Sequence, residues 1–294
     1  MDKQDDSNDM GAVSRRDFTA GSAAMAGLAV TAGSAAAADV IAKDVMIKTP
    51  DGNAEAAYFH PATGKHPAVI VWTDIFGLRP SFRALGRRLA AEGYSVLVPH
   101  PFYRNTKSPV VADASKFDFN DPANRAKTAE WTGPINVPGA IEKDAGAYIA
   151  WLDSQPEVDT AKKIGTQGYC MGGPLVFKTV ALSTRVGAGA TFHGGGLVTD
   201  KPDSPHNLIP KMKAHMYLAI AASDDDKQPD AKDKLKAGFA AAHVPAEVVV
   251  YTGMAHGWTV PDMPPAGPGK PIYNKPEAER AWTNLIKLYK TSIA

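Results

Sequence analysis

The sequence predicts an α/β fold with a mostly parallel, doubly wound sheet and helices on both faces. Short apolar runs alternate with helical stretches, which is the pattern of successive βαβ units. Residues 68–72 form one continuous apolar run, typical of a strand buried on both faces. About 256 residues follow position 38, enough for a single large domain over 39–294 with an ample core.

The first half of this domain predicts strands and helices in alternation. Strands at 45–48 and 55–59 flank a Pro-Asp-Gly turn and form an opening hairpin. After the strand at 68–72, a helix over 82–92 ends at Gly93, and a strand at 95–98 follows. Residues 101–136 are polar and aromatic without a clear period, so we expect a long excursion of the chain over the site.

The second half continues the alternation. The predicted elements are a helix at 137–154, strands at 163–167, 187–192, 216–221 and 247–251, and helices at 174–182, 230–242 and 276–289. The Pro- and Gly-rich segment 261–271 predicts an irregular surface loop rather than a ligand motif.

The lone cysteine of the chain sits between a predicted strand and a predicted helix. It lies in the run Gly168-Tyr169-Cys170-Met171-Gly172-Gly173, which matches the nucleophile elbow G-x-S-x-G with cysteine in place of serine. Glycine at 168 and 172 leaves room beside a strained nucleophile, and the following helix points its N–H groups toward the sulfur. The alternative is a small buried cysteine in a Gly-rich turn.

An acid and a base follow later predicted strands. Asp224 comes directly after the strand at 216–221, with Asp225 as an alternative, and His256 follows the strand at 247–251. Because active groups lie beyond the carboxyl ends of parallel strands, we expect these side chains to meet Cys170 at one sheet edge. The order nucleophile, acid, base is that of an α/β-hydrolase fold. His256 would take the thiol proton, and the carboxylate would orient the imidazole.

From residue 67 to 289 the chain resembles the dienelactone hydrolases, also called carboxymethylenebutenolidases. The matching stretches are residues 71–77 (Val-Trp-Thr-Asp-Ile-Phe-Gly), the elbow at 168–173, and Ala-His-Gly at 255–257. The resemblance implies a catalytic triad of Cys170, Asp224 and His256. It also implies an oxyanion hole formed by the backbone N–H groups of Ile75 and Met171, which would stabilise a tetrahedral intermediate.

The chain departs from this family at two places. The family has a glutamate that contacts the resting thiol, and the resemblance implies the same role for Asp74, which is one methylene shorter and would alter that contact. The family also has an arginine for the substrate carboxylate shortly after the histidine, where this chain has Trp258-Thr259-Val260. Arg125, in the long excursion, is a candidate for another of the family's carboxylate-binding arginines, and His193 and Trp258 are candidates for contact with the substrate. His193 and His206 could also belong to structural turns, which is the commoner role of such segments.

These observations predict a hydrolase that cleaves an ester or lactone through an acyl-enzyme on Cys170. A broader carboxylesterase or thioesterase is the first alternative, and a non-catalytic thiol sensor is the second. The chain has no nucleotide-binding or zinc-binding motif, so we expect a small-molecule ester or lactone substrate and no cofactor or metal. Without residues 1–38 the net charge is +3, too balanced to favour nucleic acid or membrane binding.

The first 38 residues predict a twin-arginine signal peptide that is removed from the mature protein. Ser14-Arg15-Arg16-Asp17-Phe18 precedes an Ala/Gly-rich stretch, and the alanines at 35–38 offer a cleavage site. The stretch is too short and too weakly apolar for a membrane span. We therefore expect passage through the twin-arginine export machinery to a periplasmic or secreted location, where the mature protein is monomeric.

Overall fold

The computed structural model describes residues 39–267 and 269–294, all of them within one compact unit, Ala37–Ala294. The strands of this part are β1 (Val40–Thr49), β2 (Gly52–Pro61), β3 (Ala68–Trp72), β4 (Ser95–Pro99), β5 (Ile164–Tyr169), β6 (Val186–Phe192), β7 (His215–Ala221) and β8 (Ala246–Tyr251). They form one sheet in the order β1-β2-β4-β3-β5-β6-β7-β8. The β1–β2 and β2–β4 pairs are antiparallel, and every other pair is parallel.

The helices are placed between these strands along the chain. They are α1 (Pro80–Ala91), α2 (Pro122–Thr132), α3 (Ala140–Asp153), α4 (Gly172–Leu182), α5 (Ala222–Lys227), α6 (Ala231–Ala241) and α7 (Lys275–Ser292). Short 3-10 turns occupy Ala114–Lys116, Pro134–Asn136 and Pro205–Lys211. The prediction of a mostly parallel α/β-hydrolase sheet is confirmed by this order of strands and helices.

The side chains of strand β3 are buried on both faces of the sheet. All five of its residues are buried, and successive side chains point to opposite faces. Ile70 and Trp72 pack in the apolar cluster that includes residues of α3, α4 and α6. Val69 and Val71 pack in the other cluster, with residues of α1 and α7. An uninterrupted apolar strand therefore forms because neither of its faces meets water.

The excursion between β4 and α3 contains a helix that the sequence did not predict. Helix α2 begins where the Asp121 carboxylate accepts a hydrogen bond from Ala123 N–H at 2.8 Å, with Pro122 in the first turn. Of its residues only Trp131 is buried. A helix that buries a single apolar side chain lacks the periodic apolar pattern from which helices are predicted. Only its capping residues, Asp121 and Pro122, indicated where the helix begins.

Six strands of the sheet run parallel, and five of them are followed by the chain segments that supply the site. Residues that follow β3, β5, β6, β7 and β8 all lie beyond the carboxyl ends of those strands. The segments that begin at Thr73, Cys170, His193 and Ala222, and the one that contains His256, therefore converge from distant parts of the sequence.

The predicted signal segment, 1–38, lies outside the described residues. In the part of the chain that the structure describes, no helix combines the length and the apolar character needed to cross a bilayer.

Candidate active site

Cys170 occupies a strained turn between β5 and α4. Its φ angle is +53°, in the left-handed region that residues with a Cβ rarely adopt. Hydrogen bonds hold it there, because Cys170 N–H donates to the Phe192 carbonyl at 3.1 Å and its own carbonyl accepts from Gly173 N–H at 3.1 Å. Gly195 N–H donates to the same carbonyl at 3.2 Å. The side chain is half-buried, which leaves the sulfur at the end of the turn.

The glycines beside Cys170 are required by close backbone approaches. A Cβ atom at Gly168 would lie 2.2 Å from the carbonyl oxygen of Gly172, and one at Gly172 would lie 2.7 Å from the carbonyl oxygen of Thr73. Both obstacles are backbone atoms, so they cannot move aside as a flexible side chain could. The sequence prediction of two steric glycines around the nucleophile elbow agrees with this geometry.

His256 is held from two sides after β8. Its Nδ1 atom lies 2.7 Å from Oδ2 of Asp224, and its backbone N–H donates to Ser223 Oγ at 2.9 Å. Asp224 belongs to the short helix α5 that follows β7 directly. Hydrogen bonding of Nδ1 to the carboxylate leaves the other ring nitrogen, Nε2, for Cys170.

The two candidate acids have different partners. Asp225 accepts hydrogen bonds from Lys232 Nζ at 2.8 and 2.9 Å, whereas Asp224 contacts His256. Of the two alternatives that the sequence left open, the structure therefore brings Asp224 and not Asp225 to the imidazole.

The surroundings of His256 favour its charged form. Burial disfavours the imidazolium, but the hydrogen bonds to Asp224 and Cys170, and the charges of both groups, raise the pKa of His256 to about 10. The imidazole thus lies between a carboxylate and the sulfur, and can hold a proton at neutral pH that it later transfers.

The two backbone amides that were expected to form an oxyanion hole lie next to Cys170. Ile75 and Met171 line the same cavity as the sulfur. Among the described residues neither amide donates a hydrogen bond to a protein acceptor. Both N–H groups are therefore available for a negatively charged oxygen that forms beside Cys170.

A cavity of about 420 Å³ opens in front of the sulfur and the imidazole. Its wall is mostly apolar, and it is formed by Ile75, Phe119, Cys170, Met171, Lys227, His256, Met263, Pro264, Pro265 and Ile272. Phe119 comes from the excursion that was predicted to cover the site. Met263, Pro264 and Pro265 come from the 261–271 segment. The described part of this segment contains no helix or strand, as predicted for an irregular loop, but the expectation that it contributes nothing to a binding site was wrong. A run of prolines gives no periodic signal from which such a role could be inferred.

Lys227 is the cation in the wall of this cavity. Its Nζ atom lies 3.8 Å from Oδ1 of Asp224, and 74% of its side-chain surface is exposed. The sequence analysis did not single out this residue, because nothing in the run Asp224-Asp225-Asp226-Lys227 distinguishes it from a solvated helix end. Its ammonium group can approach an anionic part of a bound molecule.

The carboxylate of Asp74 forms hydrogen bonds with Arg79 and Phe76 instead of contacting the thiol. It accepts hydrogen bonds from the Arg79 guanidinium at 2.6 and 2.9 Å, and from Phe76 N–H at 3.0 Å. The side chain is fully buried. The expected contact between Asp74 and Cys170 is therefore wrong, because the short carboxylate is turned to Arg79 and both of its oxygens are occupied there.

His193 and Trp258 lie behind His256 rather than in the cavity. The buried His193 ring is 5.0 Å from the His256 ring and 5.3 Å from Trp258, measured between centroids. Trp258 is itself buried and packs against Tyr251. Because both side chains are buried and neither lines the cavity, the expectation that either residue binds substrate is wrong. His193 packs against the imidazole, and Trp258 packs against His193. Burial and the nearby His256 hold the pKa of His193 well below its usual range, so the ring stays neutral.

Arg125 is not among the residues that line the cavity. Its guanidinium donates to the carbonyl oxygens of Phe119 and Asn120 at 3.2 and 2.6 Å. It therefore fixes the backbone of a cavity residue, Phe119, and contact of Arg125 with a substrate carboxylate stays a prediction.

The histidines that the sequence analysis considered have protein partners. His193 Nε2 lies 2.9 Å from Thr259 Oγ1, and His206 Nδ1 lies 2.6 Å from Ser204 Oγ. His206 thus belongs to a structural turn. Within residues 39–267 and 269–294, no group of three or more His, Cys, Asp or Glu side chains is arranged to hold a metal ion.

Comparison with known proteins identifies relatives of this chain. The sequence model of the dienelactone hydrolase family matches residues 54–293. A protein of Synechocystis sp., provisionally named carboxymethylenebutenolidase, is 24% identical over 257 residues, which covers 85% of this chain and 98% of the relative.

Solved structures share the fold. A provisionally identified dienelactone hydrolase from Klebsiella pneumoniae superposes with a TM-score of 0.70 at 22% identity, covering 86% of this chain and 99% of that one. A dienelactone hydrolase-like promiscuous phosphotriesterase from metagenomic libraries gives a TM-score of 0.69 at 22% identity, covering 87% and 99%. At this level of identity the structures establish the α/β-hydrolase fold alone.

Proposed function

The chain belongs to the dienelactone hydrolase family of enzymes that act on ester bonds, and on that premise we propose that it cleaves an ester or lactone through an acyl-enzyme on Cys170. The observation that carries the proposal is the meeting of Cys170, His256 and Asp224 at one sheet edge. The three groups come from segments after β5, β8 and β7. Cys170 and His256 line one cavity, and Asp224 contacts His256 from the side of Nδ1. Nucleophile, base and orienting acid are the set that acyl transfer requires.

In the first half of the reaction, Cys170 sulfur attacks the carbonyl carbon of the substrate while His256 holds the thiol proton. The carbonyl oxygen becomes an oxyanion and receives hydrogen bonds from the backbone N–H groups of Ile75 and Met171. As the carbon–oxygen ester bond breaks, His256 gives its proton to the leaving oxygen. A thioester on Cys170 results; with a lactone, the new hydroxyl stays attached to the acyl chain.

In the second half, water replaces the leaving group. His256 takes a proton from water as the water oxygen attacks the thioester carbon, and the same two amides stabilise the second oxyanion. The carbon–sulfur bond then breaks, Cys170 takes back a proton from His256, and the carboxylic acid product leaves. Asp224 keeps Nδ1 of His256 hydrogen-bonded in both halves, so that Nε2 faces the reacting atoms.

A broader carboxylesterase or thioesterase activity is the second candidate, and the apolar cavity wall favours it. Phe119, Met263, Pro264 and Pro265 provide contacts for an uncharged acyl or alcohol group. Among the described residues that line this cavity there is no arginine to form a bidentate pair with a substrate carboxylate. The largely exposed ammonium group of Lys227 could pair with a single negative charge on the substrate.

Stopped-flow release of p-nitrophenol from p-nitrophenyl acetate tests the proposal. We expect a burst followed by turnover, with both lost after alkylation by iodoacetamide, because Cys170 is the only thiol in the chain. Cys170→Ala should abolish turnover and leave the thermal melt nearly unchanged. Full activity of Cys170→Ala would refute the mechanism. Reversible oxidation of the thiol, without turnover of any ester, thioester or lactone, would instead favour a thiol sensor.

We also propose export through the twin-arginine pathway. The proposal is supported by the run Ser14-Arg15-Arg16-Asp17-Phe18 and the alanines at 35–38. Cell fractionation of the full chain and of the Arg15→Lys/Arg16→Lys variant provides the test. We expect the wild type in the periplasm or medium and the variant in the cytoplasm; cytoplasmic wild type would refute it. The monomeric state stays a prediction of the sequence, to be checked by light scattering.

A further inference from the structure

The guanidinium of Arg79 lies between two carboxylates from distant parts of the chain. It donates to Asp74 at 2.6 and 2.9 Å and to Asp262 at 2.9 and 2.8 Å. The Arg79 side chain is 3% exposed and Asp74 is fully buried, while Asp262 is 33% exposed. The two carboxylates thus receive four hydrogen bonds from the planar guanidinium, and Nη1 also donates to the Gly77 carbonyl at 3.5 Å.

The first carboxylate belongs to the oxyanion-hole segment. Asp74 immediately precedes Ile75, and its side chain accepts the Phe76 N–H at 3.0 Å. Its backbone carbonyl accepts the Gly77 N–H at 3.0 Å. The peptide that carries the Ile75 amide is thus enclosed in a turn whose geometry depends on where the Asp74 carboxylate is held.

The second carboxylate belongs to the cavity wall. Asp262 immediately precedes Met263, Pro264 and Pro265, all of which face Cys170 across the cavity. Ser81 Oγ also donates to Asp262, at 2.7 Å. Arg79, directly before α1, therefore binds both Asp74 and the wall segment, and Ser81 in the first turn of α1 binds the wall segment as well.

Lysine could not replace Arg79 in this position. The guanidinium lies near the rings of Phe76 and Phe82, with its central carbon 5.2 and 4.9 Å from the ring centroids. A flat, weakly hydrated cation can pack between rings while it forms two bidentate pairs, whereas an ammonium is a strongly hydrated point charge.

We propose that Arg79 is a positioning residue that sets the Ile75 amide through Asp74 and the cavity wall through Asp262. The inference rests on the proposed function, because an oxyanion-hole amide matters only if an oxyanion forms at Cys170. It assigns a different task to each carboxylate: Asp74 acts on the chemical step, and Asp262 acts on substrate binding.

Arg79→Lys tests the first task, with Arg83→Lys as the matched control. Arg83 lies on the same helix and pairs at the surface with Asp44, at 2.6 Å. We expect kcat for p-nitrophenyl acetate to fall about 10- to 100-fold in Arg79→Lys, since losing an oxyanion donor outright costs roughly 10²–10³. The rate of Cys170 alkylation by iodoacetamide should stay within about twofold, because displacement of iodide creates no oxyanion. Arg83→Lys should change neither rate.

Two further variants separate the tasks. Asp74→Asn leaves Arg79 paired with Asp262, and we expect it to lower kcat with little change in KM. Asp262→Ala leaves a neutral pair of Arg79 with Asp74, and we expect it to raise KM several-fold with little change in kcat. Asp74→Asn also replaces Arg79→Lys as the test of the first task should the lysine variant fail to fold.

The outcomes distinguish this inference from the proposed function. Unchanged kcat in Arg79→Lys and Asp74→Asn would overturn the positioning role while ester turnover by the wild type stands. A parallel fall in turnover and in alkylation rate would also overturn it, because it would indicate general disruption of the site. Absence of turnover in the wild type would refute the proposed function itself, before any variant is made.

Discussion

The carboxylate of Asp224 lies 2.7 Å from Nδ1 of His256, while the next residue, Asp225, lies 2.8 Å from Nζ of Lys232. The two aspartates point in different directions because they occupy successive positions of helix α5, where side chains are about 100° apart. One carboxylate is thereby directed to the imidazole, and the other ties α5 to the start of α6.

The aspartate pair provides a matched test of the orienting acid. We expect Asp224→Asn to lower kcat by about 10³- to 10⁴-fold, because an amide does not favour the tautomer and charge that the imidazole needs. Asp225→Asn should keep kcat within about threefold, since it loses only a partly exposed pair with Lys232. Steady-state hydrolysis of p-nitrophenyl acetate measures both. Equal losses in the two variants would contradict the assignment of Asp224.

A second prediction concerns the glycine at the start of the elbow. In Gly168→Ala the new methyl would lie 2.2 Å from the Gly172 carbonyl oxygen, so β5 and α4 must separate. We expect the free energy of unfolding to fall by at least about 2 kcal/mol. Gly195→Ala is the control, because its methyl meets nothing within 4 Å, and the change should stay within about 0.5 kcal/mol. Urea denaturation compares the two, and equal stabilities would disprove the steric argument.

The raised pKa of His256 predicts how its contribution to stability depends on pH. A group whose pKa is higher in the folded protein stabilises it fully below the unfolded value, near 6.5, and loses this effect as pH rises toward about 10. The melting temperature of the wild type should therefore exceed that of His256→Gln most at about pH 6, and the difference should shrink by pH 10. Thermal melts across this range measure it. A difference that grows with pH would contradict the pairing with Asp224.

The ammonium of Lys227 predicts a preference among substrates by charge. We expect Lys227→Met to lower the ratio of kcat/KM for a p-nitrophenyl ester with a free carboxylate over that for p-nitrophenyl acetate. The fall should be about two- to fivefold, because the group is largely exposed and screened. Lys236→Met, on the exposed side of α6, is the control and should keep the wild-type ratio. An unchanged ratio in Lys227→Met would exclude contact between Lys227 and the substrate.

Several elements and most of the site could be predicted from local sequence. The strand at Ala68–Trp72 was predicted with its observed bounds. An unbroken apolar run indicates a strand whose two faces are both buried, as in the middle of a parallel sheet. The elbow around Cys170 was predicted because its steric demands are met by glycines two residues away. Helix α2 was missed, since a helix that buries only Trp131 shows no apolar period.

The sequence by itself predicted the parallel sheet from the alternation of strand and helix patterns, the strained turn at Cys170 from its glycines, and the nucleophile, acid and base from their order along the chain, because each of these signals can be read in the linear sequence. Only the tertiary structure decided the partners of the charged side chains: Asp224 rather than Asp225 for His256, and Arg79 rather than the thiol for Asp74. A charged group pairs with whichever opposite charge lies within a few ångströms of it. At this sheet edge those neighbours come from loops far apart in the chain, such as Arg79 and Asp262, which meet only when the strands pack.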